Sequence, residues 1–201
     1  MATTTAEGAE AFQFSAGSLC LDFVATNEDW HEQPVDLIAT PRQLGAWLEA
    51  AGLPTPAGGL TAADLTAAHA LRAAVNRTAR SLVRHTDVDP DDVRCINGFA
   101  LRPTPVFLLR PNARQRTVVE EVDASGSMSV VARDAIHLFT AADPSRLHEC
   151  ARDGCAMLFY DRSPSGRRRW CAMKGCGAMV ASASYRRRRR AAHTPARKDR
   201  T

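Results

Sequence analysis

Four cysteines, Cys150, Cys155, Cys171 and Cys176, form two Cys-x4-Cys steps with fifteen residues between them. Thiolates paired at short spacing, with a second pair one hairpin further on, can converge on a tetrahedral Zn²⁺. Four sulfur ligands complete that tetrahedron and leave no position for water or substrate, so such a site is structural rather than catalytic. A redox pair or a disulfide is the competing use of the same residues. His148 is near enough in sequence to substitute as a ligand, although a surface or hydrogen-bonded histidine is the simpler reading. Cys20 and Cys95 stand alone and read as small buried hydrophobes.

Positive charge gathers around these cysteines. From Cys150 to Thr201 there are 14 Lys/Arg against 3 Asp/Glu, a net +11, while residues 1 to 149 carry a net −7. A polyanion partner accounts for that asymmetry better than a solvated face does. The basic residues expected to meet nucleic acid are Arg162, Arg167, Arg168, Arg169, Lys174, Arg186, Arg187, Arg188, Arg189 and Arg190. Five consecutive arginines on a helix wrap most of its circumference, so they can grip phosphates on both sides of a groove. Trp170 and Tyr185 are expected to pack in the core rather than stack on bases.

The elements that position these groups follow from caps and periodicity. Residues 1–11 are small, polar and aperiodic, and read as disordered. Phe12 to Phe14 is a candidate short strand. Leu19 to Val24 is an apolar segment whose period cannot separate helix from strand. Thr40-Pro41 starts a helix that Gly52 stops, and Thr61 with Asp64 opens a second as a capping box. Asp89-Pro90 starts a third. Pro105 to Leu109 and Thr117 to Val122 read as a hairpin turning at Asn112. Ser125 to Ser127 is read as a break, with helical spacing resuming from Val130 to Ala142. In the cysteine module, Met157 to Tyr160 reads as one strand and Arg167 to Trp170 as its partner, turning through Ser163 to Gly166. The expected fold is α+β: a mostly helical domain over 12–143 with a small β-hairpin, then a zinc-stabilised ββα-type module over 145–192. Residues 193–201 form a loose basic tail.

Cys150-x4-Cys155, Leu158-Phe159-Tyr160-Asp161-x-Ser163 and Arg168-Arg169-Trp170-Cys171-x-Met173-x2-Cys176-Gly177 closely resemble the CGNR zinc finger. The preceding region resembles the ABATE domain through Leu19 to Val24, Thr40-Pro-x2-Leu44-x2-Trp47-Leu48 and the Leu71-Arg72 helix. The resemblance implies a bacterial transcription regulator, with zinc on the four cysteines and DNA bound through the finger. The chain departs from the family after Cys176-Gly177, where Ala178-Met179 replaces Asn-Arg and Val180 to Ser184 replaces basic residues. The roles of that asparagine and arginine are therefore not carried over. Ala25 likewise stands where the family often has asparagine.

Three classes of function compete. The leading expectation is a zinc-dependent regulator contacting duplex DNA, its N-terminal domain sensing a small-molecule effector or forming a homodimer. The alternative is a zinc-stabilised adaptor for protein or RNA. An enzyme is not expected: Asp22, Glu28, His31 and His137 have no spacing that demands catalysis, and no phosphate-binding loop or nucleophile motif occurs. A ligand pocket near Phe23, Trp30 and Trp47 competes with plain core packing. No membrane span or secretory leader is expected, and a cytoplasmic location follows from the reduced cysteines.

Overall fold

The computed structural model describes residues 12–27, 35–119 and 123–192. Disorder over 1–11, the tail from 193, and the candidate residues Glu28, Trp30 and His31 fall outside them.

Five helices build the first region, and side chains that satisfy free backbone N–H groups set where they start. Helix α1 (Leu19–Val24) is capped by Ser18. Helix α2 (Pro41–Ala50) takes Thr40 as cap and Pro41 at its first position. Helix α3 (Ala62–Arg84) carries the full Thr61/Asp64 capping box. Helix α4 (Pro90–Ala100) starts at Asp89-Pro90. A hairpin follows, β1 (Phe107–Leu109) against β2 (Arg116–Val118), in antiparallel register with Leu108 opposite Thr117.

Helix α5 (Ala124–Thr140) begins earlier than its apolar period predicts. Asp123 accepts the Gly126 N–H at 2.9 Å and so starts the helix six residues before Val130. Ser127 and Ser129 are fully buried within it, yet their hydroxyls donate to the Pro54 and Arg102 carbonyls at 2.6 and 2.8 Å. A buried hydroxyl with such a partner no longer opposes the helix.

The six residues of α1 lie at the centre, packing on α3 and α5. Cys20, Leu21, Phe23 and Val24 are all buried, which explains a run that is apolar on every side. Phe23 meets Trp47 with ring centroids 4.8 Å apart, and both are buried, so these aromatics are core rather than pocket lining. Phe12 to Phe14 forms no strand; Phe14 stacks loosely on Trp47 instead.

After α5, a 3₁₀ turn (Pro144–Arg146) leads into β3 (Leu147–Glu149), which pairs with β4 (Leu158–Tyr160). This corrects the strand partner expected for Met157 to Tyr160. Arg167 to Trp170 forms no strand, because the Asp161 carboxylate takes its backbone: it accepts Ser163 N–H and Arg168 N–H, each at 2.8 Å. A π-helical turn (Met173–Gly177) and helix α6 (Ala178–Ala192) complete the chain. The module is therefore ββα, with β3 as its first strand.

The main apolar core crosses from the helices into this module. Leu147, Leu158 and Phe159 are buried in the same cluster as Leu21, Trp47, Leu71 and Val131. Phe159 is fully buried, and β4 packs on α1 and α3.

Candidate metal centre

Strand β3 delivers Cys150, and its ladder runs one step further as Cys150 N–H donates to the Met157 carbonyl at 2.9 Å. The first step then turns back on itself. Gly154 sits at φ 73°, and Cys155 N–H donates to the Arg152 carbonyl at 3.0 Å. Glycine reaches that left-handed conformation without the steric cost a Cβ would bring. Ala151 N–H donates to the Arg169 carbonyl at 2.9 Å, drawing in the second arm. Cys171 N–H lies 3.4 Å from the Cys150 sulfur, and the π-helical turn brings Cys176 inward.

The four sulfurs converge within 4.8 Å of one another. Cys155 and Cys171 are 3.9 Å apart, Cys171 and Cys176 3.5 Å, and Cys155 and Cys176 3.7 Å. A tetrahedral zinc thiolate with Zn–S near ~2.3 Å has S···S edges of about 3.8 Å. A disulfide would bring two sulfurs to about 2 Å; all four cysteines are free thiols. The residues present therefore fit a tetrathiolate metal ion. Cys150, Cys155 and Cys176 are buried, with Met157 and Trp170 packed on them. His148 is not in the set: its ring faces Phe159 at 5.5 Å.

Bringing four thiols this close creates an electrostatic problem that a cation solves. The Cys171 thiol beside it pulls Cys155 down to about 4. Hydrogen bonding to Cys155 and then burial push Cys171 up. One sulfur ionises readily and its neighbour resists, whereas a divalent ion stabilises all four thiolates together. Arg152 supplies further positive charge. Burial opposes its ionisation, but hydrogen bonds to Cys155 and Cys176 prevail and raise its pKa. The sequence reading missed Arg152, though it is the one base inside the first Cys-x4-Cys step. A crevice of about 190 Å³ opens beside the sulfurs, between Gln13 and Leu37 on one side and Arg152, Met157 and Met179 on the other.

Residues 17–142 match the model of the ABATE family, described as a putative stress-induced transcription regulator. The chain belongs to the ABATE family. Residues 146–189 of this ABATE protein match the CGNR zinc finger and contain all four cysteines. No curated protein is similar enough to the chain to match it.

The candidate contact residues fall into two groups. Arg168 is turned inward: it donates to the Trp170 carbonyl at 2.7 Å and lies 4.8 Å over the Phe159 ring. Arg162 donates to the Gly17 carbonyl. Both hold the module to the ABATE core. Arg167, Arg169, Arg186, Arg188 and Arg189 are exposed, with Arg169 over the Trp170 ring. The side chains of Lys174, Arg187 and Arg190 lie outside those described. Tyr185 is 57% exposed and does not pack in the core, a correction to its expected role; Trp170 does pack, against the cysteines.

A seam of ion pairs, also missed in the sequence, binds the module to α3. Arg80 donates to Glu149 at 2.6 Å and to the Ala156 carbonyl at 2.8 Å, and Arg84 reaches Glu149 at 3.4 Å. Its only sequence signal was Glu149, an acid directly before the first cysteine.

Proposed function

We propose that this ABATE protein is a zinc-dependent transcription regulator that binds duplex DNA through its C-terminal module. Cys150, Cys155, Cys171 and Cys176 would hold the zinc, whose role is to fix the module's shape. Helix α6 carries the reading. Its main packing partner is the π-helical turn at its own start, and its described residues are exposed or half-exposed around the whole circumference. A polar helix left open on all sides needs a partner to cover it. At 15 residues it is about 22 Å long and fits the major groove. Arg186, Arg188 and Arg189 would take phosphates or guanine edges, with Arg167 and Arg169 flanking. The helical region would sense an effector or mediate assembly.

The observation that supports this best is the exposed arginine helix leaving a convergent four-sulfur site. With about six phosphate contacts, affinity should fall roughly a thousandfold between 50 and 200 mM salt. Replacing Arg186, Arg188 and Arg189 with alanine should weaken binding and flatten the salt slope by about 3, with zinc content unchanged. Anisotropy titrations on a mixed duplex library measure both. A salt-insensitive complex, or no complex on any duplex, rules the reading out.

A second reading, a single-stranded RNA adaptor, is favoured by one observation. Tyr185 is exposed beside the arginines, as a base-stacking platform would be. Tyr185→Ala would then weaken single-strand binding and leave duplex binding intact.

A further inference from the structure

The β1–β2 hairpin has two unlike faces. Side chains alternate across a ribbon, so Phe107 and Arg116 share one face and Val106, Leu108, Thr117 and Val119 the other. The first face is attached to the core region. Arg116 lies over the Phe107 ring at 4.1 Å and donates to the Gly52 carbonyl. The second face is bare: Val106 is 56% exposed, Leu108 54% and Val119 49%. Leu101, at the foot of the ribbon, is 84% exposed. Among the described residues no third strand extends this sheet. A two-stranded ribbon with an open apolar face is marginal alone and is an association surface.

Charge indicates what covers it. Residues 101–119 contain four arginines and no acid, within a region that is otherwise acidic. Arg110 and Arg114 lie at the tip, and the chain leaving β2 turns acidic in sequence at Glu120, Glu121 and Asp123. The ribbon is thus basic at one end and acidic beyond the other. A twofold axis through its face lays each tip over the opposite base, so unlike charges meet at both ends. The flat β-branched pair Val106–Val119 and the Leu108–Thr117 pair then pack on their own counterparts. A nucleic acid would use the arginines but gain nothing from the apolar stripe.

We propose that this face joins two copies of the chain in a symmetric dimer, with the ribbon of each copy packed on the other. The inference does not depend on DNA binding. Light scattering and sedimentation equilibrium on the full, zinc-loaded, reduced chain over a wide dilution series test it. The wild type should be a dimer that dissociates on dilution and loosens with added salt. Leu108→Asp and Val119→Lys should each raise the dissociation constant about thirtyfold or more. Arg110→Glu with Arg114→Glu should weaken it too, and Met179→Ala, on α6, should leave it unchanged. Far-UV circular dichroism checks the fold of each variant. Thr117→Arg, at a position on the same face that is already polar, is the second probe should Leu108→Asp not fold. A chain that is monomeric at every concentration overturns the proposal. So does a dimer indifferent to all the face variants.

Discussion

Asp161 and Asp22 are both buried carboxylates, and their environments push them in opposite directions. Burial alone would raise Asp161, but the N–H groups of Arg168 and Ser163 and the Ser163 hydroxyl outweigh it and hold it at about 2. Its contribution to stability is therefore full above the ordinary carboxylate range near 4 and is lost as pH falls through 2. Burial lifts Asp22 to about 6, against the hydrogen bond it accepts from Ala16 N–H at 2.8 Å. The protonated Asp22 stabilises the fold below about pH 4, and that stability is lost as pH rises through 6. Asp22→Asn keeps the acceptor and removes the charge. It should raise the neutral-pH melting temperature by a few degrees, about 1–2 kcal/mol after solvent screening, and change little at pH 4. Asp161→Asn should lower stability at neutral pH. Calorimetric melts of both variants across pH 3 to 8 check the two signs. Cys20 is fully buried and burial pushes its thiol upward, so alkylating reagents should label it only after unfolding, as mass spectrometry can show.

At the level of elements, the helices were legible because their caps are local. Thr40-Pro41, Thr61 with Asp64, and Asp89-Pro90 act within one turn, so the sequence alone places those starts. The metal ligands were legible for the same reason, as two short cysteine steps. What failed was decided at a distance. Ser127 and Ser129 look like helix breakers until the Pro54 and Arg102 carbonyls, 73 and 27 residues away, accept their protons. The partner of β4 was misassigned because one carboxylate, Asp161, captures the backbone that would have paired with it. Gly17 was not singled out either. It sits at φ 91°, where a Cβ would collide with the Tyr160 carbonyl oxygen. Its neighbour Ala16 accepts Tyr160 N–H at 2.7 Å, so this contact seats β4 on the core. Gly17→Ala should cost about 2–3 kcal/mol, read from urea unfolding, without altering any metal ligand.

Across the whole molecule, the two matched segments meet between residues 142 and 146, while the apolar core and the Arg80–Glu149 seam run across that junction. Loss of metal should therefore be partial in its effects. Cys171→Ala should abolish stoichiometric zinc by native mass spectrometry. Amide exchange should then quicken from Arg167 through α6, while Leu158 and Phe159 stay as protected as the helices around them. A uniform loss of protection would mean that the ion, rather than the shared core, holds β4.

That continuity limits what can be transplanted. A peptide cut at residue 145 and fused to another protein would leave Leu147, Leu158 and Phe159 bare, and it should clump rather than work as a portable cartridge. The reciprocal truncation would strip the floor from beneath α1 and α3. Engineers wishing to re-aim the arginine helix must keep the host and swap only what lies beyond Asp161.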